Sequence, residues 1–97
     1  MTETSQRLIA AIKAIATGSI NSYGRIAAAI GLPNGARQVA RLLHSCSTEQ
    51  GLPWWRVVKA DGCIALPPGG GLEIQRGLLE QEGWTVSPTG RVSKPGH

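Results

Sequence analysis

The chain is poor in the residues that mark disulfide-bonded, metal-binding or membrane-spanning proteins. It has only two cysteines, Cys46 and Cys63, and their spacing matches neither a metal site nor a disulfide framework, so both are expected to be reduced thiols. No apolar stretch approaches the roughly 20 residues that span a bilayer, and no basic segment followed by a long apolar run opens the chain. We therefore expect a cytoplasmic protein that uses no membrane, metal or cofactor.

Acidic residues are scarce as well, above all in the middle of the chain. The chain has six acidic and ten basic residues, a net charge of +4 and a pI near 9.7. Between residues 22 and 59 the acidic residue is Glu49, and the basic residues are Arg25, Arg37, Arg41, Arg56 and Lys59. One half of the protein could therefore face phosphates, although an ordinary basic surface would have the same composition.

The length sets the scale of the fold. With 97 residues, of which 41% are apolar, the chain is expected to form one domain over residues 1–97, with a single modest hydrophobic core and not two. No internal repeat or linker divides it. We expect a monomer, with residues 92–97 as a frayed tail.

Hydrophobic periodicity predicts three helices in the first half. The first covers residues 4–16, and the second follows a Ser22 N-cap and stops at Gly31 and Pro33. Asn34 can cap the third. Their apolar faces are formed, in chain order, by Leu8, Ile9, Ile12 and Ile15, by Ile26, Ala27 and Ile30, and by Val39, Leu42 and Leu43. Two short helices separated by a short turn are typical of a helix-turn-helix.

The second half reads as a mixture of strands, loops and one helix. In chain order, the pattern predicts a polar loop over 46–53, strands over 56–59 and 63–66 around a turn, a loop over 67–71, a helix over 71–82, and a strand pair over 84–86 and 91–92. The helix would bury Ile74, Leu78 and Leu79. The first strand pair would be a wing. The expected class is α+β, mostly α, as a winged helix-turn-helix DNA-binding domain.

The segment Pro53-Trp54-Trp55-Arg56-Val57-Val58 carries the most specific signal. It resembles the Pro-Cys-His-Arg-Val signature of the alkylguanine-DNA alkyltransferases, with Trp54 in the place of the cysteine that accepts an alkyl group from the O6 atom of guanine. An indole offers an N–H donor and an apolar face but no thiolate. The substitution is the mark of the alkyltransferase-like proteins, so the resemblance implies lesion recognition without catalysis.

Two further segments match this family in order. Ser22-Tyr23-Gly24 resembles the start of its first DNA-binding helix, where the tyrosine presses on a phosphate and favours rotation of the nucleotide. The segment 34–39 resembles the one that carries the intercalating arginine, here Arg37. The resemblance implies DNA contacts by Tyr23, Gly35, Ala36, Arg37, Ala40 and Arg41, with the small residues allowing approach to the minor groove. A half-buried tyrosine, helix-forming alanines and a solvated arginine are the alternative interpretation.

The same resemblance places a lesion pocket at Tyr23, Pro53, Trp54, Arg56, Gly69 and Gly70. Trp54 would stack on the flipped base, while Trp55 should point to the other side of the extended chain. Arg56 would either bond to backbone carbonyls around the pocket or touch DNA, and both roles stay open. In the loop that resembles the family's Tyr-Ser-Gly-Gly-Leu, Pro68 and Gly69 stand for the tyrosine and the serine, so backbone amides would have to replace the hydroxyl.

Other departures concern the proton relay. Trp55 replaces the histidine that activates the cysteine, and Glu82 matches the acid behind it. Without thiol and imidazole, Glu82 is expected to be a structural hydrogen-bond acceptor. The hinge asparagine of the family has no clear counterpart, since ungapped counting reaches Cys46.

The expected partner is double-stranded DNA containing O6-alkylguanine, and the resemblance implies transfer of the complex to nucleotide excision repair damage-recognition proteins. Two alternatives remain. One is a sequence-specific winged-helix regulator that reads base edges in the major groove through Gln38 and Arg41. The other is an active alkyltransferase with a displaced nucleophile, Cys63 or Cys46, which is disfavoured because neither lies in a Pro-Cys-His-Arg context.

Overall fold

The structure, a computed structural model, describes residues 3–32 and 35–94, with the backbone alone for residues 46–50. Within these residues it has four helices, four short strands and one 3-10 turn. The helices are α1 (Glu3–Lys13), α2 (Tyr23–Ala29), α3 (Ala36–Gln50) and α4 (Leu72–Gln81), the strands are β1 (Asn21–Ser22), β2 (Val57–Val58), β3 (Thr85–Val86) and β4 (Val92–Ser93), and the 3-10 turn is Trp54–Arg56. The expected α+β, mostly α class is confirmed. None of the described helices is long and apolar enough to cross a membrane.

The first three helices pack as their apolar stripes predict. Ser22 caps α2, because its Oγ accepts a hydrogen bond from the Arg25 amide at 3.2 Å. α1 ends at Lys13, three residues earlier than expected, yet Ile15 beyond its end is still buried. The proposed Asn34 cap lies outside the described residues.

α3 is longer than the sequence suggested. The loop expected over residues 46–53 is wrong for its first five residues, because α3 continues to Gln50. Polar composition alone does not end a helix. Gly51 does, with a φ of 63° that favours glycine, and Pro53 follows it closely.

The buried apolar side chains form two clusters and not the single core expected. α1, α2 and α3 surround the first, and α4, β3 and β4 surround the second. β2 lies between the two clusters. Because successive side chains of a strand point to opposite faces, Val57 packs in the first cluster and Val58 in the second. One two-residue strand thus belongs to both halves of the fold.

The predicted wing is wrong in its pairing. β2 pairs in parallel with β1, with Asn21 opposite Val57 and Ser22 opposite Val58, and not with residues 63–66. A tight turn does form, since the amide of Lys59 donates to the carbonyl of Cys63 at 2.9 Å, but Cys63 then bridges Arg91. Val57 and Val58 are almost fully buried, so they need a partner inside the fold, which a local pattern does not reveal.

Two expectations about the end of the chain also need correction. Ile74 is 65% exposed, because α4 begins at Leu72 and buries the positions of Leu72, Gln75 and Leu79. β3 and β4 form the expected antiparallel pair, with Val86 opposite Val92. The frayed tail therefore does not begin at residue 92, because Val92 is buried in the second cluster; residues 95–97 lie outside the described part of the chain.

A polar network joins the two clusters through Arg56 and Glu82. The Arg56 guanidinium bonds to both carboxylate oxygens of Glu82, with the shortest N–O distance at 2.7 Å. It also donates to the Ile15 carbonyl and to Thr17 Oγ1, each at 2.9 Å. The backbone carbonyl that Arg56 reaches is that of Ile15, beyond the end of α1 and not around the pocket as expected.

Glu82 accepts more bonds than those from Arg56. The indole Nε1 of Trp55 donates to its Oε2 at 2.8 Å, and the Gly18 amide to its Oε1 at 3.3 Å. These donors, led by Arg56, lower the pKa of Glu82 from 4.5 to about 2. The expectation that Glu82 is a structural acceptor is confirmed.

We expect Glu82→Gln to destabilise the fold by about 2 kcal/mol, because it leaves the largely shielded Arg56 without its counter-charge. Since the folded pKa lies below the unfolded one, the carboxylate stabilises the protein above about pH 4.5, and this stabilisation is lost as the pH falls toward 2. Urea denaturation from pH 7 to pH 3 measures both effects. The stability of the variant should depend less on pH in that window.

Glu80→Gln is the matched control, because Glu80 is an exposed carboxylate in the last turn of α4, two residues before Glu82. It should leave both the midpoint and its pH dependence nearly unchanged. Equal effects of the two substitutions would show that general charge, and not the network, determines stability.

Candidate nucleic-acid interface

A cavity of about 560 Å³ opens between α3, the start of α2 and the segment that follows Pro53. Its lining is mostly apolar, with cationic side chains and no carboxylate among the described residues. The lining residues are Tyr23, Ala36, Arg37, Ala40, Leu43, His44, Trp54, Lys59, Ala65, Leu66, Gly70 and Gln75.

α3 contributes one helical face to this cavity. Ala36, Ala40 and His44 recur every four residues, so they lie one above the other, and Arg37 lies beside them. The alanines leave the backbone accessible, while Arg37 and His44 are exposed. This face combines close approach with positive charge.

Arg41 and Gly35 lie elsewhere, although they were grouped with these residues. Arg41 lines a separate groove between α1 and α3 and does not reach the cavity. Gly35 is buried, and a Cβ there would come within 2.9 Å of Leu32 and 3.0 Å of the Ala27 Cβ. Glycine is thus needed for packing of the turn before α3.

Tyr23 is placed at the cavity by the first turn of α2. Its side chain is half-buried and packs against the first cluster. Burial raises the pKa of the phenol above 10.0, so the hydroxyl stays protonated at neutral pH and can donate a hydrogen bond.

Trp54 is placed by a tight turn centred on Pro53. The φ of −77° and ψ of 65° at Pro53, with the Trp54 amide donating to the Leu52 carbonyl at 2.8 Å, describe an inverse γ-turn. The proline ring restricts φ to this region in advance. Pro53 itself is buried and does not line the cavity, whereas Trp54 lines it and packs behind against the first cluster.

Trp55 does not line the cavity, as predicted, although Trp54–Arg56 is a 3-10 turn and not the extended chain on which the prediction was based. Its ring packs against the second cluster, and it meets Trp54 edge to face at 6.1 Å and 87°. The Arg56 guanidinium lies 5.2 Å from the Trp55 ring centre. Arg56 was expected in the pocket, but its bonds to Glu82 and Ile15 hold it outside the cavity.

The glycine loop offers less hydrogen-bonding capacity than expected. Gly70 lines the cavity and Gly69 does not. The Gly69 amide donates to the Glu73 carboxylate at 2.9 Å, and the Gly70 amide to the Pro67 carbonyl at 2.9 Å. Both amides are used inside the loop, so these two do not replace the missing serine hydroxyl.

Several lining residues were missed from the sequence. Lys59 and Gln75 are the polar ones apart from His44, and the others are Leu43, Ala65 and Leu66. Gln75 is 1% exposed and donates to the carbonyls of Trp55 and Val57 at 3.1 Å each, so it holds the segment that bears Trp54. A glutamine in the buried stripe of α4 was the available signal.

No thiol lines the cavity among the described residues. Cys63 is a free thiol in the turn before its bridge to Arg91, and nothing is described of the Cys46 side chain. Within the described part of the chain, no group of three or more histidine, cysteine or carboxylate side chains could hold a metal ion.

Known proteins share this sequence and fold. The DNA-binding domain of 6-O-methylguanine DNA methyltransferase matches residues 3–84. The DNA base-flipping protein of Vibrio parahaemolyticus is 37% identical over 87 residues, which cover 90% of this chain and 86% of that protein. Alkyltransferase-like protein 1 of Schizosaccharomyces pombe is 32% identical over 90 residues, covering 92% and 83%.

A solved structure shows the same architecture. The crystal structure of S. pombe Atl1 in complex with damaged DNA containing O6-carboxymethylguanine superposes with a TM-score of 0.80 at 30% identity, over 97% of this chain and 90% of that chain. The matched residues and the shared fold agree over nearly the whole chain. This protein therefore belongs to the family defined by the DNA-binding domain of 6-O-methylguanine DNA methyltransferase.

Proposed function

We propose that this protein recognises O6-alkylguanine in duplex DNA by binding in the minor groove, flipping the damaged nucleotide and holding its base in the cavity without removing the alkyl group. The observation that carries the proposal is Trp54. It lines the cavity at the position where the family's signature has the reactive cysteine. The related protein from S. pombe is known in complex with damaged DNA, which supports a DNA ligand.

Flipping requires a group that displaces the base and one that fills the gap. Arg37 is exposed at the cavity edge, and its planar guanidinium can stack between bases and bond to the unpaired partner. Tyr23 lies across the cavity, with a protonated hydroxyl that can bond a phosphate oxygen. Ala36 and Ala40 let the helix come close to the groove.

Holding the base falls to Trp54. Stacking on an aromatic ring contributes roughly 1–3 kcal/mol per base, which offsets much of the cost of flipping. The inverse γ-turn at Pro53 and the bonds from Gln75 fix the segment that bears this ring. A fixed ring loses little entropy when the base arrives.

Alkyl transfer has no support at this cavity. Its described lining holds no thiol, and Trp55 replaces the histidine that would activate one. Glu82 has a pKa of about 2 and is bonded to Arg56 and Trp55, so it cannot serve as a base at neutral pH. The complex should consequently persist.

A persistent complex can mark the lesion for other proteins. We include in the proposal that nucleotide excision repair damage-recognition proteins take over from it. Incision of a lesion-bearing duplex by reconstituted excision-repair proteins, with and without this protein, tests that step. No change in incision would remove it.

Binding to DNA should depend on the lesion. A labelled duplex with one O6-methylguanine should bind at least about tenfold more tightly than its undamaged twin, about 1.4 kcal/mol, in fluorescence anisotropy at fixed salt. Intact-mass analysis of the protein afterwards should show no gain. Equal binding would favour a general or sequence-specific DNA binder, and a methyl-sized gain in mass would reveal alkyl transfer.

Arg37→Ala should weaken binding to the damaged duplex by more than about tenfold, because the gap left by the flipped base is no longer filled. Arg41→Ala is the matched control: it removes the same charge from the next turn of the same helix, where Arg41 lines a separate groove and not the cavity. The same anisotropy titration measures both. Similar losses for the two variants would mean that Arg37 acts only through its charge.

Trp54→Ala should reduce affinity for the damaged duplex by about 1–3 kcal/mol, because the stacking face is lost. Trp54→Phe keeps an aromatic ring and should retain most of the affinity, which separates stacking from unfolding. Thermal denaturation of both variants provides the check on the fold, since Trp54 also packs against the first cluster. An unchanged affinity in folded Trp54→Ala would exclude the stacking role.

A further inference from the structure

A second, smaller cavity lies beside the first and shares Lys59 with it. Its volume is about 330 Å³, and we call it the notch. Its lining residues are Ile20, Asn21, Ser22, Arg25, Val58, Lys59, Ala60 and Gly62. Arg25 and Lys59 are exposed cations, and no carboxylate is among its described lining residues. The binding of the damaged base, as proposed above, makes no use of it.

The strand pairing explains why two distant cations meet here. β1 and β2 are parallel, so both strands end at the same edge, with Ser22 opposite Val58. Lys59 follows Val58 directly. Arg25 lies in the first turn of α2, held to the end of β1 by the bond from its amide to Ser22 Oγ. Their juxtaposition therefore depends on the β1–β2 ladder.

The polar groups of the notch are mainly donors. The Oδ1 of Asn21 accepts the Ser22 amide at 2.8 Å, so a ligand would meet its NH2 group. The guanidinium of Arg25 and the ammonium of Lys59 only donate. A ligand suited to this set accepts hydrogen bonds and carries negative charge, as a phosphodiester does.

Asp61 is the nearby group that would compete for Lys59. The pKa of its carboxyl is lowered first by the Cys63 amide that it accepts and further by charges that include Lys59. Asp61 is exposed and does not line the notch. Its attraction for Lys59 is thus screened by solvent.

We propose that the notch binds a backbone phosphate of the DNA strand that carries the flipped nucleotide. The base would occupy the first cavity, and a neighbouring phosphate would occupy the notch. Lys59 lines both, while Tyr23 lines the first cavity and the preceding residue, Ser22, lines the notch. This inference rests on the proposed function, since it assigns a phosphate contact to the same complex. It makes Arg25 and Lys59 positioning residues for the lesion strand.

The test is the salt dependence of DNA binding for Lys59→Gln and Arg25→Gln, with damaged and undamaged duplexes between about 50 and 200 mM salt. Each lost phosphate contact should reduce the slope of log K against log salt by about 0.9, equally for both duplexes. Lys13→Gln is the control, because Lys13 is an exposed cation at the end of α1 and lines neither cavity. Its slope should stay close to that of the unmodified protein.

A second arm locates the phosphate. In a series of damaged duplexes, a neutral methylphosphonate replaces one phosphate, either beside the lesion or on the opposite strand. The affinity of the unmodified protein and of Lys59→Gln is measured for each duplex. At the contacted linkage next to the lesion, Lys59→Gln should cause no further loss. Further loss at every linkage flanking the lesion would overturn the assignment to that strand.

The remaining outcomes separate the two proposals. Unchanged slopes for both variants would overturn the notch while leaving lesion preference intact. A loss of affinity with an unchanged salt slope would also overturn it, because Lys59 would then touch the neutral base in the first cavity and not a phosphate. Reduced slopes in a protein that does not prefer damaged DNA would support the notch and overturn lesion recognition.

Discussion

The ion pair between Arg56 and Glu82 connects elements around the two buried clusters of this protein. Its guanidinium reaches the Ile15 carbonyl beyond the end of α1, and its carboxylate partner lies at the end of α4. The pair thus links the helices around the first cluster to the α4 side of the second. Because both side chains are largely shielded from water, separating them would leave buried charge unpaired. The position of the segment between the clusters, and with it the cavity wall, depends on this network.

The adjacent residues Trp54 and Trp55 make different contacts. Trp54 presents a face to the cavity, and Trp55 is committed to the second cluster and to the Glu82 carboxylate. The alkyltransferases that this chain resembles have a cysteine thiol and a histidine imidazole at these two positions. In this chain the same backbone carries one surface for stacking and one structural hydrogen-bond donor. The Trp55 indole and the Glu82 carboxylate form a structural hydrogen bond where the alkyltransferases have a proton relay, in keeping with the proposed binding without alkyl transfer.

Charge is distributed in keeping with a polyanionic ligand. The described linings of the cavity and of the notch contain cations and no carboxylates, while Glu73 and Glu82 are engaged by the Gly69 amide and by Arg56. These two carboxylates are thereby bonded within the protein and line neither cavity. This arrangement attracts phosphates at long range without placing like charges opposite them.

Local sequence patterns determined much of this protein. Period-3.6 stripes located α1, α2 and α3, and the Ser22 side chain marked a helix start. These features depend on neighbours within a few residues, so a linear pattern contains them. The order of motifs identified the family for the same reason, since each motif is a short contiguous segment.

Only the tertiary structure decided how distant segments meet. The parallel pairing of β1 with β2, the exposure of Ile74, and the placement of Lys59 and Gln75 at the cavity all depend on contacts between residues far apart in the chain. The position of Arg56 outside the cavity also depends on a distant contact, because its partner Glu82 lies 26 positions further along the chain. Periodicity shows which side of a helix or strand is apolar. It does not show which element covers that side, because that depends on long-range packing and on the pairing of buried polar groups.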